Sequence, residues 1–351
     1  MKLTHGGDWA GFMAQYGRMP LDFSANISPL GLPDGVRRAA CASLSSADCY
    51  PDPLCRALSS ALGARHKLPV DAVLCGNGAA DLIFRLVLAV RPKRALVTAP
   101  AFAEYEQALG LSDCRTEHFY LREENGFVAA EEILEAITPA LDVVFLCEPN
   151  NPTGRTTPPA LLLRILERCT ACGVLLVVDE CFNDFLDEPQ AHTLEPQLAA
   201  HENLLILKAF TKRYAMAGLR LGYALGAPRL LEAMRACGQP WAVSGPAQAA
   251  GLAALEEKGV QQAAAQPDLH GTPAAFCGAF RLGLPGGAGR GELPAVFFMR
   301  TAVWRKSCGK REFCCAHAAI TAASQPDGTG RRCARKKKTT LFCRRCGRCF
   351  E

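Results

Sequence analysis

The sequence predicts an α/β fold, a doubly wound and mainly parallel sheet held between helices. Three observations predict it. Apolar runs of strand length recur at residues 94–98, 141–146, 174–178 and 204–207, and unbroken apolar runs are the mark of strands buried on both faces. Helix-like patterns separate them from about residue 53 to residue 257, the alternation that builds parallel sheets. Each run also leads into a polar cluster, and the clusters recur at roughly one βαβ unit of ~30 residues. In open sheets of this kind, ligands bind beyond the carboxyl ends of the strands.

The clusters, taken in chain order, carry a coherent chemistry. Gly76-Asn77-Gly78-Ala79-Ala80-Asp81 precedes a helix-like run at 82–88. Small residues at a helix start let backbone N–H groups, here those of Ala79 and Ala80, approach an anion. Asn150-Asn151-Pro152-Thr153-Gly154 is a turn in which the Asn151 amide can donate a hydrogen bond. Asp179 ends the run 174–178, placing a carboxylate at a buried strand end. Thr211-Lys212 follows the run at 204–207, and Gly218-Leu219-Arg220-Leu221-Gly222-Tyr223 follows in turn. Alone, each has an ordinary reading: a solvated lysine, a helix N-cap, a tight turn. In this order they match what pyridoxal phosphate requires, namely an amine to carry it, a carboxylate for its pyridine nitrogen and a cradle for its phosphate. Lys212 supplies the amine, Asp179 the carboxylate, and Asn151 a donor to the ring's phenolic oxygen. Arg220 and the Thr211 hydroxyl meet the phosphate.

With these residues in place, the chain resembles the fold-type I pyridoxal-phosphate enzymes of the aspartate aminotransferase superfamily over residues 1–265. Two subfamilies compete, the threonine-phosphate decarboxylases of cobalamin synthesis and the histidinol-phosphate aminotransferases. His5-Gly6-Gly7 and Leu21-Asp22-Phe23-Ser24-Ala25-Asn26-Ile27-Ser28-Pro29-Leu30-Gly31 are similar to the decarboxylase opening. Asp179-Glu180-Cys181-Phe182 resembles its DEAF pattern, where aminotransferases carry DEAY. The resemblance implies three further roles. Phe102, in Pro100-Ala101-Phe102-Ala103-Glu104-Tyr105, becomes the aromatic platform over the pyridine ring. Tyr50, in Tyr50-Pro51-Asp52-Pro53, reaches the phosphate of the neighbouring subunit, which implies a homodimer with shared sites. His5 becomes a contact for the phosphate of a phosphorylated amino-acid substrate. Four positions depart from the pattern: Ala209 for serine, Arg213 for an aromatic residue, Glu148 for asparagine and Ala217 for proline.

Composition changes abruptly near residue 265. Residues 1–265 hold 23 basic and 29 acidic residues, whereas 266–351 hold 16 and 5. Eight of the 18 cysteines fall in that last segment. The expected organisation is an N-terminal arm at 1–45, a cofactor-binding large domain at 46–265, and an aberrant, disordered, basic, Cys-rich tail at 266–351 in place of the small domain. Cys343, Cys346 and Cys349 have metal-ligand spacing, and the run from Arg331 to Lys338 resembles a nucleic-acid patch. Neither has a supporting scaffold, so neither metal nor nucleic acid is expected as a partner. A two-base frame shift over 298–351 permits strings containing RTC and YRAAVR, and a one-base shift over 267–296 permits a second family-like string. The tail is therefore read as the product of two small insertions or deletions, with impaired turnover expected because the substrate-holding arginines are lost.

No run of ~20 apolar residues and no charged-then-apolar leader is present, so a cytoplasmic enzyme without a membrane partner is expected. Cys75, Cys147 and Cys181 lie singly among apolar runs, as reduced buried thiols do. The expected reaction is decarboxylation of L-threonine O-3-phosphate. The alternatives are a histidinol-phosphate-type transamination and a non-catalytic protein that binds pyridoxal phosphate, metal or nucleic acid.

Overall fold

The computed structural model describes residues 7–19, 25–28 and 30–257. The chain divides into two units, residues 26–265 and residues 1–25 with 266–351. From the second unit the described residues include the helix α1 (Trp9–Tyr16), which Asp8 caps by accepting from the Gly11 N–H and which Gly17 closes in the left-handed conformation. The tail at 266–351 and His5 lie outside the described residues.

The larger unit begins with α2 (Asp34–Ser43) and α3 (Arg56–His66) and then alternates strand and helix. In order come β1 (Val73–Gly76), α4 (Gly78–Val90), β2 (Arg94–Ala99), α5 (Glu104–Gly110), β3 (Arg115–Tyr120), α6 (Ile133–Ala136), β4 (Val143–Cys147), α7 (Pro159–Cys172) and β5 (Leu175–Asp179). After these come β6 (Leu204–Ala209), the single turn α8 (Phe210–Arg213), β7 (Gly222–Gly226), α9 (Pro228–Ala236) and α10 (Gly245–Glu256). The strands form one seven-stranded sheet in the order β1-β7-β6-β5-β4-β2-β3. Only β7 runs against its neighbours; the pairs β2–β3, β2–β4, β4–β5 and β5–β6 are parallel.

Side-chain alternation along each strand feeds two apolar layers. Leu176, Val178, Leu204 and Ile206 join one core with Leu58 and Leu62 of α3, Leu162, Ile165 and Leu166 of α7 and Ala247 and Ala250 of α10. Val177, Leu205 and Leu207 face the other, with Leu82, Ile83 and Leu86 of α4, Leu109 of α5 and Met234 of α9. Nearly all of these side chains are wholly buried, each worth about 1.5–3 kcal/mol in removed apolar surface. The two layers fix the strands rigidly, so every parallel strand delivers its carboxyl end to the same sheet edge. Local rules set the helix ends: α7 starts with a proline in its first turn and stops at Gly173 in the left-handed region. Among the described residues no helix is long and apolar enough to cross a membrane.

Candidate active site

Asp179 is the last residue of β5 and lies in register with Cys147 of β4 and Leu207 of β6. It is buried, and two donors hold its carboxylate. The Tyr105 hydroxyl donates to Oδ2 at 2.7 Å, and the Cys181 N–H donates to Oδ1 at 3.0 Å. Burial and the neighbouring Asp179 charge push the Tyr105 phenol and the Cys147 and Cys181 thiols upward. All three therefore stay protonated around a carboxylate whose orientation is set from two sides.

Lys212 lies in α8, one turn beyond the end of β6. Burial lowers its pKa, and the Arg220 charge adds to the effect, while Cys181, Asp179 and Glu104 oppose it. Its Nζ sits 5.4 Å from the centroid of the Phe182 ring, and its carbonyl accepts from the Ser28 N–H at 3.0 Å. Lowering the pKa raises the fraction of neutral amine, the form that attacks a carbonyl carbon. Glu104 shares this surrounding, and burial pushes its carboxyl up to about 7.

The turn after β1 closes against Arg220. Gly78 has φ +82°, and a Cβ there would lie 2.7 Å from Arg220 Nη2, so only glycine fits both the backbone and the guanidinium. A Cβ on Gly222 would fall 2.5 Å from the Ala79 nitrogen. The two glycines bring β7, Arg220 and the start of α4 together. Asn77, the N-cap of α4, makes no side-chain cap, which leaves the Ala79 and Ala80 amides at a helix start beside a cation, the donor set an anion takes. Arg220 is itself held by its Nη1 donating to the Ala217 carbonyl at 3.2 Å. Thr211, next to Lys212, is buried.

Asn151 follows the β4 end; its N–H donates to Cys147 Sγ at 3.3 Å, and its buried Oδ1 has no hydrogen-bond partner. A buried polar atom left without a partner marks a place that a ligand completes. Phe102 meets Tyr105 edge-on at 5.6 Å between centroids. Tyr50 is 82% exposed and stacks on Trp241 at 4.6 Å. Two departures from the motif find local partners. Buried Glu148 accepts from the Thr157 N–H at 2.8 Å and from the Thr157 hydroxyl, with burial pushing it up to about 7. Arg213 lies 3.3 Å from Asp184 Oδ1.

Of the residues singled out in the sequence, the larger unit thus gathers Asp179, Lys212, Asn151, Arg220, Ala79, Ala80, Thr211 and Phe102 along one sheet edge, and leaves Tyr50 on the surface. The sequence reading missed Tyr105 as the partner of Asp179. Its signal is faint: a hydroxyl three residues after Phe102, on the same helical side as an aromatic ring. The glycine-lined anion cradle and the carboxylate beside a lysine of lowered pKa fit pyridoxal phosphate. Arg220, Thr211 and the α4 amides could hold its phosphate, Asp179 its ring nitrogen, Asn151 its phenolic oxygen and Lys212 its aldehyde carbon.

Comparison with known proteins agrees with this fit. Residues 18–269 match the model of the family described as aminotransferase class I and II. The chain is 40% identical over 264 residues to a threonine-phosphate decarboxylase of Salmonella typhimurium, covering 74% of this chain and 72% of that protein. It is 32% identical over 275 residues to a histidinol-phosphate aminotransferase of Cupriavidus pinatubonensis, covering 78% and 72%. The solved histidinol-phosphate aminotransferase of Sinorhizobium meliloti, in complex with pyridoxal-5'-phosphate, superposes with a TM-score of 0.67 at 22% identity, covering 75% and 72%, a likeness of fold. With its sheet, its site and these relatives in agreement, the chain belongs to the class I and II aminotransferase family, whose cofactor is pyridoxal phosphate.

Proposed function

We propose that this chain is a decarboxylase of L-threonine O-3-phosphate, releasing CO2 and 1-aminopropan-2-yl phosphate in cobalamin synthesis. The observation that carries the reading is the 40% identity to the Salmonella typhimurium threonine-phosphate decarboxylase, supported by Phe182 beside Lys212, a ring that has no hydroxyl to offer a cofactor. The 32% identity to a histidinol-phosphate aminotransferase favours transamination as the second reading.

When bound, pyridoxal phosphate supplies an electron sink for the pair of electrons released at the substrate's Cα. The chain's residues prepare that sink. Asp179, oriented by Tyr105 and the Cys181 amide, keeps the proton on the ring nitrogen. Arg220, Thr211 and the Ala79 and Ala80 amides would anchor the phosphate, Asn151 would donate to the phenolic oxygen, and Phe102 would supply an aromatic face for the ring. Lys212, as the neutral amine, would hold the cofactor through its aldehyde carbon, and its Nζ–H would supply the proton to the substrate's Cα. Phe182 and the buried surroundings of Lys212 exclude water. Tyr50 is assigned to the phosphate of a partner subunit's cofactor, which makes the working unit a homodimer, and His5 to the substrate's phosphate.

Mixing the protein with L-threonine O-3-phosphate, or with histidinol phosphate and 2-oxoglutarate, separates the two reactions. CO2 without glutamate supports decarboxylation, and glutamate without CO2 overturns it. The family match stops at residue 269, which supports the reading that the tail is out of frame and that turnover by the chain as written is weak. The gene's nucleotides test this: two short insertions or deletions, near codons 263–267 and 297–298, are expected. Full activity of the chain as written contradicts it.

A further inference from the structure

Cys55 and Cys75 are the two thiols that the cofactor chemistry does not use and that nonetheless meet behind the cofactor cradle. Cys55 stands at the N-cap of α3 with φ +50°, and Cys75 is the third residue of β1. Both are buried at 5% and 7% exposure, and both line one cavity of about 270 Å³ with Arg85, Arg235 and Gly238. Ser59 lies one turn after Cys55 in α3, its N–H donating to the Cys55 carbonyl at 2.8 Å, and its hydroxyl lies 3.7 Å from Cys75 Sγ, so both cysteines sit at the same first turn. The contact with Cys75 lowers the Cys55 pKa against burial and Asp52, with Arg235 and Arg85 adding to the lowering, while the contact with Cys55 and burial raise Cys75. Cys55, at the N-terminus of α3 with Arg85 and Arg235 in the same cavity wall, is the nucleophile, and Cys75 is the thiol that resolves it. A cavity of this size, with Arg85, Arg235 and Gln239 in its wall, admits a small polar oxidant.

We propose that Cys55 and Cys75 are an oxidisable thiol pair that a hydroperoxide closes to a disulfide, and that closure loosens the phosphate-binding turn after β1. The Cys55 thiolate attacks one peroxide oxygen and the O–O bond breaks. The departing oxygen takes a proton and leaves as water or an alcohol, and Cys55 becomes a sulfenic acid. Cys75 then gives up its proton and attacks the Cys55 sulfur, the S–O bond breaks, and water leaves. Two thiols are oxidised by two electrons and one hydroperoxide is reduced by two.

The consequence for the cradle comes from its lack of slack. Cys75 pairs with Tyr223 and Gly76 with Gly222 in the β1–β7 register. Directly beyond, the Gly222 and Gly78 positions have no room for even one added carbon against the Ala79 nitrogen and Arg220. Replacing a thiol contact by a covalent bond draws β1 toward the start of α3, and a displaced β1 end disturbs the fit between the Ala79 and Ala80 amides and Arg220. This part rests on the proposed role of that turn as the cofactor's phosphate site.

The test uses the full chain, reduced and then treated with hydrogen peroxide, with peptide mass mapping and titration with pyridoxal phosphate. Expected are a crosslinked Cys55–Cys75 peptide that dithiothreitol reverses, and a fall of about fivefold or more in cofactor affinity, the lower range of coupling between sites, restored by the reductant. Cys55→Ser and Cys75→Ala abolish both effects, whereas Cys237→Ser, at an exposed thiol, abolishes neither. Oxidation of Cys55 beyond the sulfenic acid without a crosslink overturns the proposal, as does a crosslink that leaves affinity unchanged. The map of the unsubstituted protein decides the pairing even if a variant fails to fold. Failure of the cofactor reading shows separately, as reduced protein that does not bind pyridoxal phosphate at all.

Discussion

Two lysines four residues apart, Lys208 near the end of β6 and Lys212 in α8, have opposite surroundings. Lys208 Nζ meets Glu180 at 3.0 Å and Glu195 at 2.6 Å. Glu195 also pairs with His66 Nδ1 at 2.8 Å, and His66 Nε2 lies 3.0 Å from the Tyr223 hydroxyl. Glu180 accepts further from the Thr193 hydroxyl and the Leu194 N–H. Burial works against the Lys208 charge, but Glu180, Tyr223 and Glu195 hold its pKa well above the usual value. Lys212, only partly buried, has no ion pair among the described residues, and its pKa falls. The adjacent carboxylates divide in the same way: Glu180 neutralises Lys208, while Asp179 is oriented by uncharged donors. A strand puts neighbours on opposite faces, so one Asp-Glu pair serves a structural charge network on one side and the chemistry on the other.

The division is testable, and turnover is best measured on a chain in which the proposed shifts of the reading frame are reversed. Lys212→Ala is expected to lower turnover by about a thousandfold or more, the scale for losing a covalent catalyst, and to remove the cofactor's visible band without lowering thermal stability. Asp179→Ala follows at about 10²–10³-fold in turnover, because the charge it supplies to the ring is lost, checked by steady-state kinetics. Lys208→Met is expected to reverse the pattern. It leaves Glu180 and Glu195 without their cation and costs about 3–5 kcal/mol in urea unfolding, while the visible band persists in the folded fraction. Equal loss of the band in both lysine variants breaks the comparison.

The smallest effect concerns pH. Burial raises the folded-state pKa of Glu148 from 4.5 to about 7. The folded state therefore binds more protons than the unfolded one between those values, and stability falls as pH rises through that window. Unfolding free energies of wild type and Glu148→Gln, subtracted pH by pH so that other groups cancel, are expected to show this slope between about pH 4.5 and 7. Glu195 has the opposite sign. Burial alone would raise it, but the His66 hydrogen bond and the Lys208 charge hold it at about 2, so its contribution is present above pH 4.5 and lost as pH falls toward 2.

The parts legible in the sequence are those whose cause is local. β2, β4, β5 and β6 announce themselves because both faces are buried and the chain must be apolar throughout. The cradle is legible because Gly78 and Gly222 have no substitute at their positions. β3 was not read: Arg115–Tyr120 is an edge strand of intermediate exposure with polar residues on both faces, which carries no periodic signal. β7 hid between glycines, where the motif around Arg220 drew attention to chemistry rather than to strand. The Tyr105–Asp179 bond and the His66–Glu195 pair join residues 74 and 129 positions apart. No local pattern encodes such a partner; only the sheet order brings them together.

The most direct test is reduction of the purified protein with borohydride in the presence of pyridoxal phosphate, followed by peptide mass mapping. This needs no turnover. The account predicts a phosphopyridoxyl label on Lys212 and none on Lys208. A label on Lys208 or on another lysine in place of Lys212, or no stable label at all, contradicts it.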